Sequence, residues 1–473
     1  MSVLKTKELE NNSDASRSLI VDKIRCVFHG PCRRVLLINP PQFLEEQLNV
    51  RIAKNKRYYN YPPYGLGLLC HNLKKRRYKV SVLDLNYELL DFIHKEEEEV
   101  ILSNITNIWQ KQVKKIIDEF HPDLVGFSCM FTMSHGITLI IANWIKSQQA
   151  GLPIIAGGVH VTNAPDIVLK EGKSIDFVSL YEGDNSFCDF LDFVNRDALH
   201  DNLTQLGTLV NDQYVFIKER NIPSPEVMNV IPDYLDLHIG RYDSLGEIGT
   251  FRYWRPKNSR GSISLSNRGC RGHCSFCSVR NFNGAGVRSR SVESVVDEIE
   301  VLVCKYNVNH ITWLDDDLFY NPKRTLRLFN EIIKRNLNIT WDASNGVIIS
   351  SAVASPELIH SAAESGCIGM YFGIESGNPG ILREIRKPSS VKQCLKLGEM
   401  MKKYPQIFTR GFLIIGFPKE TYGQMLDTVE VAQTMGLDWY TVQMLTPLPS
   451  TEIYSEMVEE GLIKDGALNV SED

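Results

Sequence analysis

The stretch Leu265-Ser-Asn-Arg-Gly-Cys-Arg-Gly-His-Cys-Ser-Phe-Cys-Ser-Val279 decides how this chain folds and what it holds. Its cysteines, Cys270, Cys274 and Cys277, are spaced Cys-x-x-x-Cys-x-x-Cys. Cubane iron–sulfur clusters are held by cysteine thiolates, four in the usual case. Three thiolates from one loop leave the remaining iron open to a substrate or cofactor. A zinc site draws on four ligands, commonly with a second pair further along, and no such pair follows. The odd total of 11 cysteines and their crowding argue against a disulfide framework. Gly269 and Gly272 let the backbone wrap closely around inorganic sulfur. The residues therefore predict a [4Fe-4S] cluster on Cys270, Cys274 and Cys277.

Outward from this loop the chain alternates strand and helix. A β-rich run, Gly261-Ser-Ile-Ser-Leu-Ser266, leads into it. Strands are expected at 263–268, 310–315, 339–344, 369–375, 411–417 and 440–445. Helices lie between them, for example 291–306 and 323–335. Six such units predict a partial (β/α)6 barrel over 256–455, with its chemistry at the carboxyl ends of the strands. Leu314-Asp-Asp-Asp-Leu-Phe319 ends the second strand and Phe372-Gly-Ile-Glu-Ser-Gly377 the fourth. Aspartates at such a place can also hold a divalent cation or cap a helix. A carboxylate at the end of an apolar strand is costly to bury without a partner.

Upstream, Arg33-Arg-Val-Leu-Leu-Ile-Asn-Pro-Pro41 reads as a buried parallel strand stopped by two prolines. Further strands are expected at 78–84, 123–128, 153–158 and 177–181, with helices between. This rhythm predicts an α/β doubly wound, Rossmann-like parallel sheet over 33–205. Ligands of such sheets bind at the carboxyl ends of strands. Those ends carry Asn39, Ser128, Gly157, Gly158 and Glu182. Residues 1–32 read as a polar tail, 206–255 as a linker containing a hairpin, and 456–473 as a C-terminal extension.

The cysteine loop resembles the signature of the radical S-adenosylmethionine (SAM) superfamily. The upstream sheet resembles the cobalamin-binding domain often fused ahead of such barrels, as in the class B-like methylases. The resemblance implies that the open iron chelates the methionine part of SAM, and that reduction releases a 5′-deoxyadenosyl radical. It implies that Phe276 packs near the adenine. Asp316, or second Asp315, would contact the methionine amino group, and Glu375 the ribose or the methionine carboxylate. Arg410 to Glu420 resembles the family's fifth-strand motif, with Lys419 in place of a common glycine. Asn345 stands where many relatives carry arginine. Ser128-Cys-Met130 followed after 26 residues by Gly157-Gly158 matches the pattern that admits the cobalamin tail. An ordinary flavodoxin-like domain can also end a strand in Gly-Gly. Residues 39–65 contain no histidine, so cobalamin is expected base-off, without a histidine on cobalt. That loop instead carries Arg57, Tyr58, Tyr59, Tyr61 and Tyr64.

The implied activity is cobalamin-mediated methyl transfer from SAM to an unactivated carbon of a small metabolite. The alternatives are a cobalamin-assisted cyclisation or oxidation, or a radical SAM enzyme whose N-terminal domain no longer binds cobalamin. An external electron donor such as flavodoxin or ferredoxin is implied. Catalytic residues beyond these ligands are not assigned by the sequence. Cys304, Cys367 and Cys394 read as small buried hydrophobes rather than as a reactive pair.

Composition sets the outer bounds. The 473 residues carry a net charge of −5, with 43% hydrophobic and 23% charged residues, as in ordinary globular enzymes. The basic run Lys74-Lys-Arg-Arg77 reads as a helix end, and no nucleic-acid partner is expected. No apolar run reaches the about 18 residues that span a bilayer, so no membrane partner is expected either. Scattered thiols and an oxygen-sensitive cluster suit a cytoplasmic setting.

Overall fold

The structure, a computed structural model, describes residues 13–217 and 219–464. The chain divides into two compact units, one of 1–50 and 65–227, the other of 51–64 and 228–473.

The first unit is built on a seven-stranded sheet. Its strands are β1 (Arg34–Asn39), β2 (Lys79–Asp84), β3 (Leu124–Ser128), β4 (Ile154–Gly157), β5 (Phe177–Ser179), β6 (Leu206–Val210) and β7 (Gln213–Phe216). They lie in the order β2-β1-β3-β4-β5-β6-β7. The first five pair in parallel, and the chain reverses direction around β1, as in doubly wound folds. Apolar side chains leave both faces of these strands. Leu36, Ile38, Val125, Phe127 and Ile154 pack with Trp109, Val113, Ile137 and Ile141 on one side. On the other, Leu37, Ile155 and Phe187 close around Gly126.

Two regions differ from the sequence reading. Part of the expected polar tail is a helix, Ser13–Val27, that buries Ile20, Val21 and Ile24. Its polar residues hid an apolar stripe at helical spacing. Residues 1–12 lie outside the described residues. The hairpin of the expected linker is β6 and β7, which add antiparallel to β5 and extend the sheet. Conversely, residues 51–64, read as a loop of the sheet domain, group with the second unit. There Tyr61 Oη accepts the Gly249 amide at 3.0 Å, and Tyr59 bridges to Glu247.

The second unit begins with β8 (Gly261–Ser264). The cysteine loop is closed by a two-stranded antiparallel ribbon, β9 (Asn267–Arg268) with β10 (Arg288–Ser289). Then follow β11 (His310–Trp313), β12 (Thr340–Val347), β13 (Cys367–Glu375), β14 (Phe408–Ile415) and β15 (Trp439–Met444). The six long strands form one parallel sheet in the order β15-β14-β13-β12-β11-β8. A six-stranded parallel sheet with helical crossovers, open at both edges, is the partial barrel. Its strands alternate. Trp341 stacks on Phe329 of the helix Pro322–Lys334, with ring centroids 4.9 Å apart. Its neighbour Asp342 faces the opposite way and is bonded to His310, Thr312, Ser344 and Arg255.

Candidate functional site: a cysteine-lined barrel mouth

The cysteine loop is fastened from several sides. Arg271, inside the loop, makes a bidentate pair with Asp317 after β11, at 2.7 and 3.0 Å. Ser275 donates its amide to the Ile385 carbonyl at 3.1 Å, and Arg386 Nε donates to the His273 carbonyl at 3.1 Å. Gly269 takes φ +85°, and a Cβ there would stand 2.5 Å from the Gly286 carbonyl oxygen. Only glycine fits that turn. A Cβ placed on Gly272 would lie 3.4 Å from Cys270 Sγ and 3.7 Å from Cys274 Sγ. The two sulfurs therefore converge on the bare Gly272 backbone, whose amide donates to Cys270 Sγ at 3.3 Å.

Burial pushes the Cys270 and Cys277 thiols up to about 11 and raises Cys274 as well, while the Lys387 charge opposes the rise at Cys274 and Cys277. Metal ligation deprotonates such thiols, so a metal or cluster bound here would displace protons. Among the described residues no group of three or more His, Cys, Asp or Glu is placed to hold a single metal ion. Two thiols that converge on the Gly272 backbone, an amide donor at Cys270 Sγ, and Cys277 three residues on from Cys274 are a donor set that fits a [4Fe-4S] group.

The three aspartates after β11 separate by partner. Asp315 is fully buried and accepts from Ser266 through both its amide (2.9 Å) and hydroxyl (2.6 Å). Asp317 is committed to Arg271. Asp316 is half-buried, and the side-chain bond shown for it comes from Asn345 at 3.1 Å. Burial, then the neighbouring Asp315, raises its carboxyl to about 7. Asn345 thus sits where its amide can steady Asp316.

Glu375 ends β13 in a left-handed conformation, φ +65°. Its Oε1 pairs with Lys387 Nζ at 2.6 Å, and its Oε2 is buried with no hydrogen-bond partner. Burial disfavours the Lys387 charge, but Glu375 and the nearby thiols outweigh it and hold the ammonium above its ordinary range. Phe276 packs on Phe417 with centroids 6.1 Å apart, at the rim of a cluster of Ile381, Leu382, Ile385 and Ile414. Lys419, in place of the common glycine, keeps the left-handed backbone that glycine favours, φ +64°, and pairs with Glu460 at 2.7 Å. Cys367 and Cys394 are buried. Cys304 is exposed, unlike the sequence reading, because it lies on the outer side of the helix Val292–Tyr306.

In the first unit, Ser128 and Gly157 are register partners on β3 and β4, and Gly158 follows directly. A Cβ on Gly158 (φ +115°) would come within 2.4 Å of the Cys129 carbonyl oxygen. Met130, Phe131 and Met133, on the loop after β3, are exposed. A hydroxyl, bare strand ends and uncovered apolar side chains at a carboxyl edge fit a large ligand with an aromatic tail. The sequence reading missed what lies beside them. His160 Nε2 meets His135 Nδ1 at 3.0 Å, and His135 Nε2 meets Glu171 at 2.8 Å. Both rings are buried. Arg271, Ser266 and Lys387 were missed likewise, since their partners are fixed only by the fold.

A thiol-lined mouth on an open parallel barrel and a doubly wound sheet on the same chain define a cofactor-dependent α/β enzyme. Residues 265–432 match the radical SAM superfamily model, and residues 50–191 the B12 binding domain model. An uncharacterized methyltransferase of Pyrococcus horikoshii is 28% identical over 407 residues, 85% of this chain and 80% of the relative. Cytidylyl-2-hydroxyethylphosphonate methyltransferase of Streptomyces wedmorensis is 24% identical over 467 residues, 91% of this chain and 83% of the relative. Among solved structures, the radical SAM methyltransferase TsrM of Kitasatospora setae, with tryptophan substrate and a SAM analog bound, aligns with TM-score 0.69 at 17% identity. The alignment covers 90% of this chain and 76% of that one. The same protein is also known with cobalamin and a [4Fe-4S] cluster bound. The chain is thus similar to radical SAM enzymes that carry a B12-binding domain ahead of the barrel.

Proposed function

We propose that this enzyme transfers a methyl group from SAM, by way of cobalamin, to an unactivated carbon of a small metabolite. The observation that carries the proposal is the pairing, on one chain, of the cysteine mouth with the Ser128–Gly157–Gly158 strand edge. When bound, the cluster and SAM supply a 5′-deoxyadenosyl radical, and cobalamin supplies methyl-transfer chemistry.

The chain's own part is holding and orienting. Cys270, Cys274 and Cys277 hold the cluster. Asp316, whose neighbours Asp315 and Asp317 are already committed, accepts hydrogen bonds from the ammonium of SAM. That cation returns the carboxyl to its ionised form, because an adjacent positive charge favours carboxylate. Glu375 Oε2 accepts from a ribose hydroxyl, which satisfies an otherwise orphaned acceptor. Phe276 and Phe417 flank the adenine. Ser128, Gly157 and Gly158 receive the cobalamin tail. With no histidine in 39–65, that loop offers no imidazole, and cobalamin would be held base-off and without a histidine on cobalt. A small-molecule substrate, as in the TsrM complex with tryptophan, and a flavodoxin or ferredoxin donor complete the reading. No helix among the described residues is long and apolar enough to cross a membrane, and a reducing cytoplasm suits the thiols.

The test is anaerobic reconstitution with iron, sulfide and hydroxocobalamin, followed by reaction with methyl-labelled SAM and pooled metabolites. Labelled methyl in a product, together with 5′-deoxyadenosine, is the expected result. Product formed without label would replace methyl transfer by ring closure or oxidation. Protein that binds no corrin would remove cobalamin from the reading.

A further inference from the structure

Lys387 lies 110 residues beyond Cys277 in the chain, yet it sits against both the cysteine loop and Glu375. The segment Ile385–Pro388 straps the cysteine loop. Ile385 accepts the Ser275 amide, and the Arg386 carbonyl lies 4.0 Å from Cys274 Sγ. The Pro388 ring faces Gly272, beside Cys270 and Cys274. Between Arg386 and Pro388, Lys387 turns inward and pairs with Glu375 at 2.6 Å. Its side chain is 10% exposed and that of Glu375 is 7% exposed. Gly373 makes room for the pair, since a Cβ there would stand 2.6 Å from Lys387 Nζ and 2.7 Å from Glu375 Oε1.

The geometry points to Lys387 as a positioning residue with two jobs. It holds Glu375 so that Oε2 stays free for SAM, and it places a fixed positive charge beside the cysteine loop. Net charge and hydrogen bonding near the sulfurs are levers on cluster potential, and groups around the ligands commonly matter nearly as much as the ligands. A nearby cation favours the reduced, more negative cluster. The inference rests on the cluster reading of the three cysteines.

The experiment compares reconstituted wild-type, Lys387→Met, Lys387→Arg and Gly373→Ala proteins. It measures iron and sulfide content, cluster potential by EPR-monitored titration, and SAM affinity by equilibrium dialysis. Lys387→Met is expected to shift the one-electron reduction equilibrium about tenfold towards the oxidised cluster, about 59 mV. Its SAM affinity should fall about tenfold with the loss of a charged hydrogen bond. Lys387→Arg should restore the potential. Gly373→Ala, which displaces the pair but keeps the charge, should weaken SAM binding and leave the potential near wild type. Should Lys387→Met not load a cluster, full loading of Lys387→Arg supports the inference and failure of both overturns it. A fully loaded Lys387→Met with wild-type potential and affinity also overturns it. Wild-type protein that takes up no iron and sulfide refutes the cluster reading itself.

Discussion

The two large sheets of this chain, one parallel and one parallel with an antiparallel hairpin at its edge, use their faces differently. In the N-terminal sheet, successive residues of β1, Val35 to Ile38, are all buried and apolar. Helices cover both faces, so the carboxyl edge, where Ser128, Gly157 and Gly158 lie, is the part left for a ligand. In the barrel, alternate residues diverge. Ile311, Trp313 and Trp341 are apolar, whereas His310, Thr312 and Asp342 form a buried polar face with Arg255. One sheet offers an edge to a ligand. The other offers an edge and an interior, and its polar residues are spent on each other before any ligand arrives.

If the sites are this separate, breaking one should spare the other. Cys274→Ala is expected to abolish cluster loading and 5′-deoxyadenosine formation while leaving hydroxocobalamin binding intact. Iron and sulfide analysis, chromatography and corrin absorbance read the three outcomes. Loss of corrin binding as well would erase the distinction between the sites.

Each unit nevertheless contains a buried histidine, His160 on the helix Val159–Asn163 and His310 on β11, and acid should find both. Burial lowers His160 to about 4, helped by His135, and burial likewise lowers His310 to about 4. An unfolded histidine titrates near 6.5. The folded state therefore resists protons that the unfolded state accepts. The stability is fully present above pH 6.5 and is lost as pH falls towards 4. For His160 the loss is on the order of 3 kcal/mol. Urea midpoints across this range should fall with pH, and His160→Gln should flatten the slope. An unchanged slope would show that His160 charges freely in the fold.

The smallest effect belongs to the strand edge. Gly158→Ala forces a methyl against the Cys129 carbonyl at a positive φ. It should cost about 2 kcal/mol, in the range of local overpacking and backbone strain. Corrin binding should weaken while SAM cleavage persists. Wild-type corrin affinity in this variant would mean that the tail does not enter between β3 and β4.

Much of this was legible in the residues. The cysteine spacing predicts a cluster loop because all three candidate ligands come from eight consecutive residues, so local geometry suffices for the reading. The barrel strands were readable because apolar runs recur between helical segments. The helix Ser13–Val27 was not, since its buried stripe is diluted by exposed polar residues. Residues 51–64 read as part of the sheet domain because chain order, not packing, was the available guide.

By itself, the sequence determined the two α/β units, the closely spaced cysteine loop and the bare strand edge at Gly157-Gly158. It also marked Lys419 and Asn345 as departures from the family pattern. Only the tertiary structure separated Asp316 from Asp315 and Asp317, by showing which carboxylates are bound to Ser266 and Arg271. It alone brought Lys387 to Glu375 and the cysteine loop. The reason is physical: three cysteines within eight residues are brought together by spacing, but a buried ion pair is specified by burial, and burial is a property of the fold.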